Sequence, residues 1–174
     1  MKRKQIIDFI TSVILIVTGS IILTFPFFRE INVKYIFIAV LAFYGIINLI
    51  EFILTSKEKD FEGLLTMIAS IISLVLLGFL EVENNMLNLP LTLFSWLVLM
   101  SLIKLKKCDG YRESYRTIWI FRIVTLILFI LVGLLTVINL YYSAETQLLV
   151  LGFYYFIHGV LELVDPITNY LLKK

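Results

Sequence analysis

Residues 19–51, GSIILTFPFFREINVKYIFIAVLAFYGIINLIE, have a counterpart at residues 133–165, GLLTVINLYYSAETQLLVLGFYYFIHGVLELVD. The offset is 114 residues, and it carries Gly19 onto Gly133 and Gly45 onto Gly159, the glycines standing 26 positions apart in both stretches. Each stretch holds two apolar runs joined by a short polar turn, which is the pattern of a helical hairpin. The same offset places Asp8 on Arg122, Tyr44 on His158, Asn48 on Glu162 and Glu51 on Asp165. A duplicated hairpin is therefore the unit from which the fold is built.

Composition decides where such hairpins sit. Of the 174 residues 60% are hydrophobic and only 16% are charged. Mean hydropathy is +0.99. Soluble domains average about 25% charged residues. The shortage of charge matters more than the net charge of +2, because charges are what a lipid-facing surface excludes. The expectation is an all-α integral membrane protein forming one domain over residues 1–174.

Six apolar runs are legible, at roughly 6–25, 33–55, 64–80, 89–105, 117–140 and 147–171. They pair into hairpins at about 6–55, 64–105 and 117–171. A helix needs about 20 residues to cross a hydrocarbon core, so the third and fourth runs stand at the short end. The runs are continuous rather than alternating, which favours helices over a barrel. The basic start MKRK followed by an apolar run resembles a signal peptide. Its length and the absence of an Ala-x-Ala site read instead as a retained first helix.

Basic residues set the orientation. Lys2, Arg3, Lys4, Lys57, Lys59, Lys104, Lys106, Lys107, Arg112, Arg116, Arg122, Lys173 and Lys174 fall at one set of helix ends, 13 of the 15 in the chain. Arg29 and Lys34 alone fall at the other. Both termini are then expected in the cytoplasm. Phe25, Phe27 and Phe28, with Tyr141 and Tyr142, mark the outer interface, and Trp119 and Tyr170 the inner one. The segment Lys104–Arg116, KLKKCDGYRESYR, reads as an interfacial loop or short helix over the inner leaflet.

The glycine and proline pattern resembles the HdeD-like acid-resistance membrane protein family. That family is built from duplicated two-helix hairpins with Gly in the first helix, Pro about two turns later and Gly in the second. Gly19, Pro26 and Gly45 fit it. The third hairpin keeps Gly133 and Gly159 but has Leu140 in place of the proline, and the middle one has Ser101 for the second glycine. Gly78 fits the first position of the middle hairpin only with a shift of about three residues. The resemblance implies a multi-pass protein of the bacterial cytoplasmic membrane with a role in acid or envelope stress. It carries no enzymatic site over to this chain.

A polar stripe runs along the second helix of each hairpin. His158, Glu162 and Asp165 share a face at i, i+4 and i+7. Their equivalents are Tyr44, Asn48 and Glu51, and in the fourth run Met100, Lys104 and Lys107. One reading makes the stripe structural, with acids on two helices pairing with lysines on a third. The other takes His158, about 16 Å from the outer end, as the head of a His–Glu–Asp line that passes protons or senses pH. Gly19, Gly45, Gly133 and Gly159 are expected to let helices pack closely. Ala69 with Ser73, and Ala39 with Ala42, offer further small surfaces.

Other chemistry is thin. A lone histidine builds no His-rich metal site, and the single Cys108 forms no internal disulfide. No phosphate-cradling glycine loop or Gly-x-Ser-x-Gly turn occurs. The expectation is no enzyme, no cofactor and no nucleic-acid surface, with the lipid bilayer as partner alongside a homo-oligomer or another membrane protein. A small proton-linked transporter or channel, and a partner-binding membrane subunit, are the alternative functions.

Overall fold

Six helices and no strand make up the residues that a computed structural model describes, which are 3–25, 32–55, 61–79, 85–109, 116–142 and 146–171. They are α1 (Arg3–Thr24), α2 (Val33–Thr55), α3 (Glu62–Phe79), α4 (Asn85–Asp109), α5 (Arg116–Tyr142) and α6 (Gln147–Leu171). Pro26, Phe27, Phe28, Arg29, Lys2, Lys57, Lys59, Arg112, Lys173 and Lys174 lie outside the described residues, as do the side chains of Arg3, Arg116, Tyr142 and Tyr170.

A helix satisfies its own backbone in lipid, so an apolar run long enough to cross is driven into one. Many of the Ser and Thr hydroxyls in these helices are satisfied from the helix itself. In α1, Thr11, Ser12, Ser20 and Thr24 each donate to the carbonyl four residues earlier, at 2.7–2.9 Å. Five helices are long and apolar enough to cross a membrane, and the apolar part of α3, Glu62–Gly78, is shorter.

The fourth run differs from the expectation. It is not short: α4 extends over 25 residues. Pro90 is tolerated in its second turn, and at the other end Lys104–Asp109 continues the helix instead of forming a separate interfacial piece. Straight-chain lysines support helix, and Lys106 and Lys107 in the last turn complement the negative end of the helix dipole.

The distribution of side chains is inverted relative to a soluble protein. Arg122, Glu51 and His158 are 2%, 4% and 1% exposed, while Ile53 and Leu135 are 62% and 59% exposed. Charged groups are turned inward, beside a buried apolar cluster, and large apolar side chains cover the outside, as hydrocarbon surroundings require.

The helices close into a ring in chain order, with α1 against α6. The most extensive interface is α1 with α6, followed by α4 with α5 and α2 with α3. All three join neighbouring hairpins. The interfaces inside hairpins, α3 with α4, α5 with α6 and α1 with α2, are each smaller, and α1 with α2 is the least. The helix pairs that the sequence reads as hairpins are thus held mainly by helices of other pairs.

Glycine makes the α1–α6 interface possible. A Cβ on Gly19 would lie 2.5 Å from the Phe156 nitrogen and 2.7 Å from the Gly152 oxygen. A Cβ on Gly159 would lie 2.8 Å from both the Ile16 nitrogen and the Ser12 oxygen. These are backbone atoms, which cannot swing aside. Gly133 instead meets the flexible Leu97 side chain of α4, and Gly45 meets Ser70 of α3 at a tolerable 3.3 Å. Gly63, which the repeat pattern did not single out, acts in the same sense between α3 and α2: a Cβ there would lie 2.7 Å from the Asn48 backbone oxygen.

Gly19→Ala and Gly159→Ala are expected each to lower stability by about 1–3 kcal/mol, the usual cost of overpacking. Gly78→Ala, where such a Cβ meets nothing within 4 Å among the described residues, is expected to be neutral or slightly stabilising. Thermal unfolding in bicelles separates the two outcomes.

Candidate functional site: a charge cluster inside the helix ring

The second helix of each hairpin turns the same face toward the ring interior. On α2, α4 and α6 the equivalent residues form four levels spaced i, i+4, i+8 and i+11. Toward the C-terminal ends of these helices they are Val40, Trp96 and Tyr154; then Tyr44, Met100 and His158; then Asn48, Lys104 and Glu162; and finally Glu51, Lys107 and Asp165. The first two levels are mostly aromatic and the last two are mostly charged.

The charged levels recruit every helix. Lys107 Nζ lies 2.7 Å from Glu62 Oε1 on α3 and 2.7 Å from Asp165 Oδ2 on α6. Arg122 Nε on α5 approaches Asp165 Oδ1 at 3.5 Å. Lys4 Nζ on α1 donates to Glu62 Oε2 at 2.5 Å and lies 3.7 Å from Glu51 Oε1 on α2. Lys104 Nζ donates to Glu162 Oε1 at 2.6 Å. A charged side chain alone at the centre of a spanning helix costs about 2.5–3.5 kcal/mol or more. Pairing between helices reduces that cost, so each helix end is held in place by the charge of another.

Glu162 Oε1 joins the charged levels to the aromatic ones. Besides Lys104 it meets His158 Nε2 at 3.0 Å and the Tyr44 hydroxyl at 3.4 Å. The imidazole sits in an aromatic enclosure, with ring centroids of Phe129, Trp96, Tyr154 and Tyr44 at 5.1, 5.2, 5.6 and 6.0 Å. Trp96 meets His158 edge-on, at an interplanar angle of 74°. An Nε2–H donating to Glu162 leaves Nδ1 as an acceptor, and Nδ1 is buried with no hydrogen-bond partner among the described residues. Trp96 Nε1 and the Tyr154 and Tyr155 hydroxyls are in the same condition. Groups of this kind in native proteins ask for an explanation.

Two small spaces adjoin these groups. One, among Asp8, Asn48, Glu51, Glu62, Lys104 and Glu162, leaves about 20 Å³ for the centre of a water molecule. The other, between Tyr44, Trp96, Tyr154, Tyr155 and His158, leaves about 10 Å³. A single water requires roughly 10–15 Å³ by that measure.

Of the residues singled out from sequence, His158, Glu162 and Lys104 are in direct contact. Asp165 and Glu51 belong to the same cluster through Lys107 and Lys4. Asn48 stands apart from the ion pairs: its Nδ2 donates to the Tyr44 carbonyl at 2.8 Å, and the side chain lines the polar space. Lys4 and Glu62 were missed because they lie at helix starts, outside the repeated stripe. Trp96, Tyr154 and Phe129 were also missed. Carrying the stripe one turn toward the helix N-termini would have found the first two.

A family profile described as a short repeat of unknown function (DUF308) matches residues 10–80 and 124–170. The chain belongs to that family. It is the repeat family of the HdeD-like membrane proteins, so the resemblance carried by the glycines is supported by the whole profile. The DUF308 matches take in most of α1 through α3 and most of α5 and α6. Helix α4 lies outside both, yet it supplies Lys104, Lys107 and Trp96. No curated protein and no solved structure matches the chain significantly.

Removing one partner of a buried pair leaves the other uncompensated, at a cost of about 3–5 kcal/mol, whereas removing both costs far less. Lys104→Met is therefore expected to destabilise strongly, and Lys104→Met combined with Glu162→Gln to recover a large part of the loss. A double-mutant cycle by thermal unfolding in bicelles measures the coupling.

Proposed function

We propose that this DUF308 protein is a non-enzymatic, multi-pass component of the bacterial cytoplasmic membrane, with both termini on the cytoplasmic side, acting in acid or envelope stress resistance. The observation that carries the proposal is the charge cluster tying all six helices together around the chain's lone histidine. Acid acts on such a cluster in one direction. Protonating a carboxylate removes an anion from the cation beside it, and protonating His158 adds a cation next to Lys104. A protein whose helix contacts depend on those pairs responds to proton activity without catalysing anything. The resemblance to HdeD-like proteins and the concentration of Lys and Arg at one set of helix ends support the same reading.

A strain lacking the protein is expected to survive an acid shift less well than its parent while growing equally at neutral pH. Wild-type complementation restores survival, and His158→Ala restores it only in part. Equal survival of deletion and parent strains counts against the stress role.

A second reading, a small proton-linked transporter or channel, is favoured by one observation. The polar space and the space beside His158 both border Tyr44 and continue the line from Glu162 toward the bilayer centre. Both prolines inside helices, Pro90 and Pro166, lie toward helix ends, so no span is broken at its midpoint in the manner of many transporters. Reconstituted protein that moves protons into liposomes, with flux lost in Glu162→Gln, would favour this reading. Flux indistinguishable from empty liposomes would remove it.

A further inference from the structure

The interface between α1 and α2 is the weakest in the ring, and there is a physical reason for it. The glycines of α1 and α6 draw α1 toward α6, which opens a crevice on the α2 side. The crevice holds about 400 Å³ and is walled by Thr11, Leu15 and Thr18 on α1 and by Ala39, Phe43 and Tyr44 on α2. Ala39 and Phe43 are exposed, so the crevice opens sideways from the ring. In a spanning bundle that side is hydrocarbon. The crevice extends roughly 10–12 Å along both helices at 1.5 Å per residue, a length suited to part of an acyl chain.

Its inner end is not apolar. Thr11 and Tyr44 also border the polar space that contains Asp8, Glu51 and Glu62. At this corner Asp8, Glu51, Glu62 and Glu162 stand with Lys4, Lys104 and Lys107, and Lys107 is shared with Asp165. Glu51 is 4% exposed, and its Oε1 accepts no hydrogen bond, with Lys4 no nearer than 3.7 Å. The corner thus holds more carboxylates than ammonium groups, and a buried acceptor, in a space sized for one small polar group. Asp8 lies about 7 Å from the start of α1 and Glu51 about 6 Å from the end of α2, by helical rise. That depth is close to the headgroups.

We propose that this crevice binds one phospholipid with a primary ammonium headgroup, a phosphatidylethanolamine, its acyl chain between α1 and α2 and its ammonium at Asp8 and Glu51. Lys4, one turn from Asp8 on the same helix, is placed for the phosphate. The ethanolamine group supplies N–H donors as well as positive charge. A phosphatidylcholine head has the charge without N–H donors, and a phosphatidylglycerol head adds negative charge beside unpaired carboxylate oxygen.

The test uses full-length protein reconstituted in vesicles of equal phosphatidylethanolamine, phosphatidylglycerol and phosphatidylcholine with matched chains, then released gently for native mass spectrometry. The wild type is expected to retain one phosphatidylethanolamine over either competitor by roughly fivefold, the factor for one favourable headgroup charge contact. Ala39→Trp is expected to lose the bound lipid, and Glu51→Gln to keep a lipid without the preference. In parallel, phosphatidylethanolamine with a photoreactive acyl chain is expected to label wild-type peptides containing residues 11–18 and 39–47. Retention in the proportions supplied, preference for phosphatidylglycerol, or labelling spread evenly over the exposed faces of other helices would each overturn the site. So would lipid-free dimers in which residues 39–47 of one copy cross-link to another.

Discussion

Opposite charges held out of lipid by one another are the constraint on which this structure depends. Lys107 illustrates it. Its ammonium bridges Glu62 on α3 and Asp165 on α6, while Arg122 on α5 reaches the same aspartate. None of these groups is at home in hydrocarbon, and these pairs all run from one helix to another. Each helix therefore needs a particular partner, and a closed ring supplies one to all six. Continuum arguments warn that buried pairs add little net stability compared with apolar packing. What the cluster provides is register: a helix displaced by one turn would strand a charge.

Packing follows the same logic from repeat to repeat. Van der Waals contact, not hydrophobic burial, drives helices together in lipid, so small residues mark the tight interfaces. Gly19 and Gly159 belong to equivalent hairpins, but each lies against the other's hairpin instead of its own. The result is a ring whose largest interfaces are α1–α6, α4–α5 and α2–α3, with the intimate α1–α6 contact closing the circle. The loose α1–α2 contact is the counterpart of that tightness and leaves the lateral crevice beside it.

Much of this was legible in sequence. Six apolar runs, the 114-residue offset and the equivalence of Glu51, Lys107 and Asp165 all come from composition and spacing, because a helix maps i, i+4 and i+7 onto one face and lipid forbids stray charge. The length of α4 was misjudged because a proline and a lysine run look like boundaries, whereas Pro90 sits near a helix start and Lys104 and Lys107 are turned inward to acids on other helices. Which helices pair was not legible at all. A glycine announces a close approach but does not name the neighbour, so Gly19 reads the same whether it meets α2 or α6. The enclosure of His158 draws rings from α2, α4, α5 and α6, and contact between such distant positions leaves no periodic trace. Lys4 and Glu62 escaped notice for the same reason, being paired only in three dimensions.

The bridging role of Lys107 is open to direct observation in a bilayer. Magic-angle-spinning NMR on uniformly labelled protein in lipid can correlate the Lys107 side-chain nitrogen with carboxylate carbons through space. The structure requires cross-peaks from that nitrogen to both the Glu62 and the Asp165 carboxyl carbons, and their disappearance in the respective Gln and Asn variants. A Lys107 nitrogen that exchanges freely with water and correlates with neither carboxylate would contradict the account at its centre.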